Sequence, residues 1–210
     1  CSKLTGSLRI PNSVTKIENG AFSFCSGFDG ELKISSKLEI ISSCSFQNCS
    51  GFIGTLIIPD SVEIIQGKAF LACSLFEELI LGQQVKSVNE MAFFNCHGLK
   101  GSLIIPSSIT VLQSKAFIGT NFSLLLYNGT ESPNCPTDVF QSDLFVFTAI
   151  DYEESEFCGL PVIKPATPTH SKTPSQSITP TESLVPSFSP SPSITPSSSD
   201  SNKLNTVEIV

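Results

Sequence analysis

A sixteen-residue phrase recurs along this chain and constrains its fold more than any other feature. It reads IPNSVTKIENGAFSFC from Ile10, IPDSVEIIQGKAFLAC from Ile58 and IPSSITVLQSKAFIGT from Ile105. Two weaker copies, ISSKLEIISSCSFQNC from Ile34 and LGQQVKSVNEMAFFNC from Leu81, fill the gaps. Self-similarity at such a period is typical of a solenoid built from stacked units. Spacings of 24, 24, 23 and 24 residues separate the phenylalanines of the five copies, which are Phe22, Phe46, Phe70, Phe93 and Phe117.

Before each phrase, apolar and polar residues alternate over a short segment, as in GSLRIP and GTLIIP. Alternation with a period of two predicts a short strand that turns one face toward the core. Proline follows at Pro11, Pro59 and Pro106 and ends the strand, because it has no N–H for a ladder. One unit cannot bury its own apolar face, so stacked units must share a core. We therefore predict a β-rich repeat solenoid with short parallel strands, one per repeat of 23–24 residues.

Most cysteines follow the same period, three residues after the phenylalanine. We expect these thiols to form a buried column of small apolar side chains beside a buried phenylalanine column. Cys44 lies off the column and is predicted to be a partly exposed free thiol, or the partner of a group outside this sequence. No Cys-x-x-Cys occurs, and His97 and His170 complete no ligand set, so we predict no metal site. The cysteine column comprises Cys1, Cys25, Cys49, Cys73 and Cys96, with Thr120 in the next position.

The phrase I-P-x-S-V-x-x-I-x-x-x-A-F-x-x-C resembles the BspA-like leucine-rich repeats of surface proteins in bacteria and parasitic protists. The resemblance covers residues 1–126, with Ser35 and Gly82 in place of the turn proline. The later segment LLLYNGTESPNCPTDVF…FCGLPV is similar to the closing segment after the last repeat of protist members. The resemblance implies surface display and adhesion to host or matrix proteins, and it carries no catalytic residues.

These patterns divide the chain into a partial first repeat plus five repeats over 1–126, a C-terminal cap over 127–163 and a stalk over 164–210. Cys135 and Cys158 fall in the loop-rich cap, and we interpret them as a disulfide, the alternative being that both are free. Ser, Thr and Pro dominate the stalk, which cannot bury enough surface to offset its ordering entropy. Its composition is typical of an O-glycosylated, mucin-like stalk, with an unglycosylated linker as the alternative.

The ends of the sequence indicate a piece of a longer protein, because it starts inside a repeat and without Met. We expect an export signal, and any membrane anchor, to lie outside it, and we expect the protein to be at the cell surface or secreted. Sequons at Asn48, Asn121 and Asn128 are candidate N-glycosylation sites and are compatible with export. The net charge is −7 and no basic stripe occurs, so we predict no nucleic-acid partner.

An enzyme is not expected, because G-x-S-x-G, H-E-x-x-H and phosphate-binding glycine loops do not occur. We predict no cofactor and no catalytic residues. The leading hypothesis is a recognition or adhesion module that binds a protein or glycan on a host cell, the matrix or a neighbouring cell. The alternative is a structural surface-coat or antigenic component without a specific ligand, which self-association of the purified protein would favour.

The candidate binding face lies on the outward side of the predicted strands. Ile57, Ile80 and Ile104 occupy successive outward positions, where solvated strands usually carry polar residues. Arg9 and Lys33 precede them in the same series and are predicted to form a charged flank. Simple β-propensity, or cover by a neighbouring segment, would account for the isoleucines equally well.

Overall fold

The computed structural model describes residues 3–149 and 151–164, together with the backbone of Thr206–Glu208. Within these residues the regular elements are all β-strands, most of them paired in parallel. In chain order they are β1 Ser7–Arg9, β2 Leu32–Lys33, β3 Ile40–Ile41, β4 Gly54–Ile57, β5 Ile64–Ile65, β6 Phe76–Ile80, β7 Ser87–Val88, β8 Lys100–Ile105, β9 Val111–Leu112, β10 Asn121–Tyr127, β11 Val146–Thr148, β12 Glu156–Phe157, β13 Leu160–Ile163 and β14 Thr206–Glu208.

Each repeat contributes one strand to a parallel ladder that we call the main sheet. Its pairings are β1 with β2, β4 with β6, and β8 with β10, β11 and β13 in succession. The amide of Ile53 bonds to Gly30 O at 3.1 Å, and β6 lies beside β8, so the series continues across the intervals between these groups. The predicted β-rich solenoid with short parallel strands is confirmed.

A second, narrower ladder runs through the repeats, and the sequence pattern did not predict it. Strands β3, β5, β7 and β9 have two residues each and pair in parallel, in that order. The second residue of each strand points into the core, and these residues are Ile41, Ile65, Val88 and Leu112. Each described repeat of this part of the stack therefore pairs with its neighbour through two series of β-strands.

The phenylalanine column forms as predicted and is the most regular part of the core. Phe46, Phe70, Phe93 and Phe117 are buried, and their rings stack with centroid spacings of 5.2, 5.3 and 5.3 Å. Phe22, which stacks on Phe46, is only partly buried. A second stack, six residues further along each repeat, has spacings of 5.0 and 5.9 Å and comprises Phe28, Phe52 and Phe76.

The chain turns through left-handed backbone twice in each repeat, two residues before and two residues after the phenylalanine. Residues with a Cβ rarely adopt this conformation, because the Cβ crowds the backbone. Regular hydrogen bonds between repeats hold it, such as Phe46 N to Ala69 O and Phe70 N to Ala92 O, both at 2.8 Å. The earlier position has φ of 54–67° at Gly20, Cys44, Lys68, Met91 and Lys115, and the later one 57–78° at Phe24, Asn48, Ala72, Asn95 and Gly119.

The cap continues the solenoid instead of only closing it. Strands β11 and β13 extend the main sheet beyond β10, and the ring of Phe140 stacks on Phe117 at 5.1 Å. Phe140 follows Phe117 by 23 residues, so the cap contains a further turn with a divergent phrase. A disulfide joins Cys135 to Cys158 with a Cα–Cα distance of 5.5 Å, and the antiparallel strand β12 borders β13.

The C-terminal region differs from the predicted stalk at one place. Strand β14 pairs in parallel with β1, with Thr206 opposite Ser7 and Glu208 opposite Arg9. The rest of the Ser/Thr/Pro-rich segment lies outside the described residues, as do Cys1 and His170. In the described part of the chain, no helix has the length and apolar character needed to cross a membrane.

Candidate partner-binding face

One outward side chain from each main-sheet strand lies in a continuous row across the face. The strand pairings place Ile57 opposite Ile80, Ile104 opposite Leu126, and Leu126 opposite Phe147. They also place Phe147 opposite Ile163 at the far end of the sheet. We call this series the outward row; it comprises Arg9, Lys33, Ile57, Ile80, Ile104, Leu126, Phe147 and Ile163.

The apolar members of the outward row are open to solvent. Ile57, Ile80 and Ile104 are 54%, 45% and 49% exposed, so the described part of the chain does not cover them. Phe147 and Ile163 are also exposed, and Leu126 is half-buried. The structure thus brings the three predicted isoleucines together and extends their apolar series by Leu126 of the last repeat and by Phe147 and Ile163 of the cap.

A parallel series, which we call the flanking row, changes character along the stack. Thr55 and Glu78 are polar, and the Thr55 hydroxyl donates to the Glu78 carboxylate at 2.9 Å. Leu124 pairs with Ser102, and Phe145 lies next to Leu124 because Val146 pairs with Leu125. The face therefore widens from one apolar row to two near the cap. The flanking row comprises Ser7, Glu31, Thr55, Glu78, Ser102, Leu124 and Phe145.

The residues of this face after Ile104 were not predicted from the sequence, although a signal for them exists. The segments SLLLY and LFVFT have apolar residues at both inward and outward positions. Leu126 follows Ile104 by 22 residues, and Phe147 follows Leu126 by 21, which is close to the repeat period. The next interval, to Ile163, is 16 residues, and it departs too far from the period for spacing alone to identify it.

The charged groups of the face lie at one end and along one side. Arg9 and Lys33 occupy the first two positions of the outward row, with Glu31 beside Lys33 in the flanking row. Lys100 and Glu77 form an exposed ion pair at 3.2 Å beyond the flanking row, of the kind that contributes little to stability. The apolar row thus has a polar border, which is the usual anatomy of a protein contact.

The thiols of the buried cysteine column have low reactivity. Cys49, Cys73 and Cys96 donate their S–H groups to the phenylalanine carbonyl of the preceding repeat, at 2.9, 3.0 and 3.0 Å. Burial raises the pKa of Cys49 and of Cys96 to about 12. A protonated thiol is a poor nucleophile and a poor metal ligand. Residue spacing predicted the buried column but not these hydrogen bonds, for which it has no signal.

No group of three or more His, Cys, Asp or Glu side chains suited to a metal ion occurs among the described residues. Cys44 is a half-buried free thiol whose sulfur lies 3.7 Å from the Ser43 hydroxyl.

The three sequons occupy different surroundings. Asn128 is exposed just beyond β10, at the border of the face. Asn121 is exposed, and its side-chain amide donates to His97 O at 2.5 Å. Asn48 is half-buried in a left-handed turn. None of the three lies in the outward row.

Short parallel strands at a period of 23–24 residues, stacked over columns of identical side chains, define a leucine-rich-type repeat solenoid. The family model of the BspA type leucine-rich repeat region matches residues 1–123 in six copies, and the chain belongs to this family. Neither a curated protein nor a solved structure matches the chain. Repeats of this type generally mediate protein interactions on a typically non-catalytic scaffold, and the family is typically associated with the cell surface.

Proposed function

We propose that this chain is an extracellular recognition or adhesion module, at the cell surface or secreted, that binds a macromolecular partner through its outward row. The observation that carries the proposal is the continuous series of six exposed or half-buried apolar side chains from Ile57 to Ile163. Contiguous apolar surface on a folded protein marks an interaction site, because leaving it in water is unfavourable. The partner is a protein or a glycan on a host cell, the matrix or a neighbouring cell.

The shape of the face favours a large partner over a small molecule. Two hollows lie along the face, one bordered by Lys33 and Ile57 and one by Thr55, Glu78 and Ser102, with volumes of about 300 and 420 Å³. These volumes lie near the lower limit for a ligand pocket, and small molecules need enclosure on most sides. A regular sheet face that spans eight strands suits an extended contact instead.

The covalent chemistry of the chain supports export. The Cys135–Cys158 disulfide is a bond that persists in oxidising compartments and is rare in the cytosol. The thiols of the cysteine column do not conflict with such a compartment, because burial and a raised pKa protect Cys49 and Cys96 from exchange.

The test is adhesion of a triple variant, Ile57→Thr, Ile80→Thr and Ile104→Thr. Threonine keeps the β-branched shape that a strand prefers, so the fold should survive while the apolar row is interrupted. We expect adhesion to host cells or matrix to fall by at least tenfold, about 1.4 kcal/mol of binding energy. The matched control is Ile53→Thr, which changes an isoleucine that is 44% exposed but lies outside the row. Undiminished adhesion of the triple variant would exclude the isoleucine part of this face.

A further inference from the structure

We infer that the group bound by this face is an amphipathic α-helix of a partner protein, lying along the outward row and across the strands. The inference rests on the proposed function and names the chemistry of its occupant. Its centre is the C-terminal half of the face, where the outward and flanking rows are both apolar. The residues that carry it are Ile104, Leu124, Leu126, Phe145 and Phe147.

The spacing of the outward row selects the helix. Neighbouring strands are about 4.8 Å apart, so the five intervals from Ile57 to Ile163 span about 24 Å. A helix with two apolar residues per heptad presents an apolar side chain on one face about every 5.2 Å along its axis. An extended strand presents side chains on one face about every 6.7 Å. Over five intervals the helix differs from the row by about 2 Å and the strand by about 10 Å, so only the helix stays in phase.

The apolar character of the row excludes the other occupants by desolvation. An extended segment laid across these side chains would bury backbone N–H and C=O groups without partners, whereas a helix pairs them internally. A glycan would lose the hydration of its hydroxyls against six side chains that offer no hydrogen bonds. A helix laid over the apolar stretch needs about 16 residues, from the 1.5 Å rise per residue.

The charges at the border define the polar residues of the helix. Lys33 lies next to Ile57 at one end of the apolar series, so acidic residues of the helix belong in the turn above Lys33. Glu31 and Glu78 lie in the flanking row on one side, so basic residues belong along that side of the helix. Phe145, 53% exposed, and Phe147 beside it are the largest apolar groups that the face presents near the cap, and aromatic anchors usually dominate such contacts.

Two synthetic peptides of about 18 residues and equal composition test the inference against the full chain. One places leucines at helical spacing with glutamates in one terminal turn, and the other alternates leucine with polar residues as in a strand. Fluorescence anisotropy of each labelled peptide measures its Kd. We expect the helical peptide to bind and the alternating peptide to bind at least tenfold more weakly.

Two chain variants locate the contact. Phe147→Thr should weaken binding of the helical peptide about tenfold or more, because it removes an aromatic anchor. Leu75→Thr is the matched control, since Leu75 is 52% exposed but lies outside both rows, and it should leave the Kd unchanged. Circular dichroism melts of both variants establish that the fold is intact. Equal binding of the two peptides, or an unchanged Kd in Phe147→Thr, would overturn the inference.

The experiments distinguish failure of the helical-partner inference from failure of the proposed function. Loss of adhesion in the triple isoleucine variant, without any binding of the helical peptide, would refute a helical partner. The proposal that this face mediates adhesion would remain supported. Peptide binding that depends on Phe147, with adhesion undiminished in Phe147→Thr, would support the helix site and refute its role in adhesion. Sedimentation that shows a dimer of the chain, abolished by Phe147→Thr, would make the occupant a second copy and overturn the inference.

Discussion

Removal of one ring from the middle of the phenylalanine column tests whether stacking between repeats stabilises the solenoid. Phe70 is fully buried, and its ring lies 5.2 Å from Phe46 and 5.3 Å from Phe93. Truncation of a buried phenylalanine to alanine costs about 3–5 kcal/mol through lost transfer energy and the cavity left behind. Each stacked pair contributes about 0.5–1.5 kcal/mol beyond its buried area. Because Phe70 has a stacked ring on both sides, we expect Phe70→Ala to cost about 4–5 kcal/mol.

The matched control lies at the partly buried end of the same column. Phe22 stacks on Phe46 at 5.3 Å, so Phe22→Ala should cost about 2 kcal/mol, close to the value of an ordinary buried side chain. Urea unfolding followed by circular dichroism gives both free energies, and a similar slope in the two variants would show that the unfolding unit is unchanged. A cost for Phe70→Ala no larger than that for Phe22→Ala would refute the reasoning.

Three further predictions concern the turns, the thiols and the cap. Met91→Gly removes a Cβ from a backbone with φ 54°, so the free energy of unfolding in urea should rise by up to about 1 kcal/mol. Folding raises the pKa of the Cys49 thiol from 9.0 to about 12, so its contribution to stability is present below pH 9.0 and is lost as pH rises toward 12. The measured decline should be shallower in Cys49→Ala, and an equal decline would contradict the assignment. Cys135→Ala with Cys158→Ala opens a bridge of sequence separation 23 and should cost about 3 kcal/mol in urea unfolding, whereas Cys44→Ala should change little.

The parts of the fold that the sequence predicted are those that repeat with the period. Phe46, Phe70 and Phe93 recur at 24 and 23 residues at an inward position of the repeat, and the inward sides of stacked units share one core. The outward isoleucines follow from the same argument, because alternation assigns Leu56 inward and Ile57 outward. Periodicity therefore identifies both the core and the first half of the candidate binding face.

Other parts depend on features that do not recur in composition. The second ladder consists of two-residue strands such as Ile40–Ile41, which are too short for alternation to show. Six of the ten left-handed positions, Cys44, Lys68 and Met91 among them, hold residue types with no preference for that conformation, so the Gly and Asn residues at the other four do not show the pattern in the sequence. The turn within the cap keeps the phenylalanine at Phe140 but replaces the rest of the phrase, which hides the continuation of the sheet.

The separation between neighbouring repeats determines the geometry of both the core and the outward face of this solenoid. Backbone hydrogen bonds and stacked rings hold the repeats at a constant separation, and the same separation sets the interval between successive side chains of the outward row. Substitutions in the row, such as Ile104→Thr, therefore change the chemistry of the exposed surface, while the spacing between the side chains of the row stays the same. Substitutions in the core, such as Phe70→Ala, act on stability first, and they reach binding only by loosening the stack. Under the proposed function, partner choice would therefore depend on the exposed row and be largely independent of the residues that fold the scaffold.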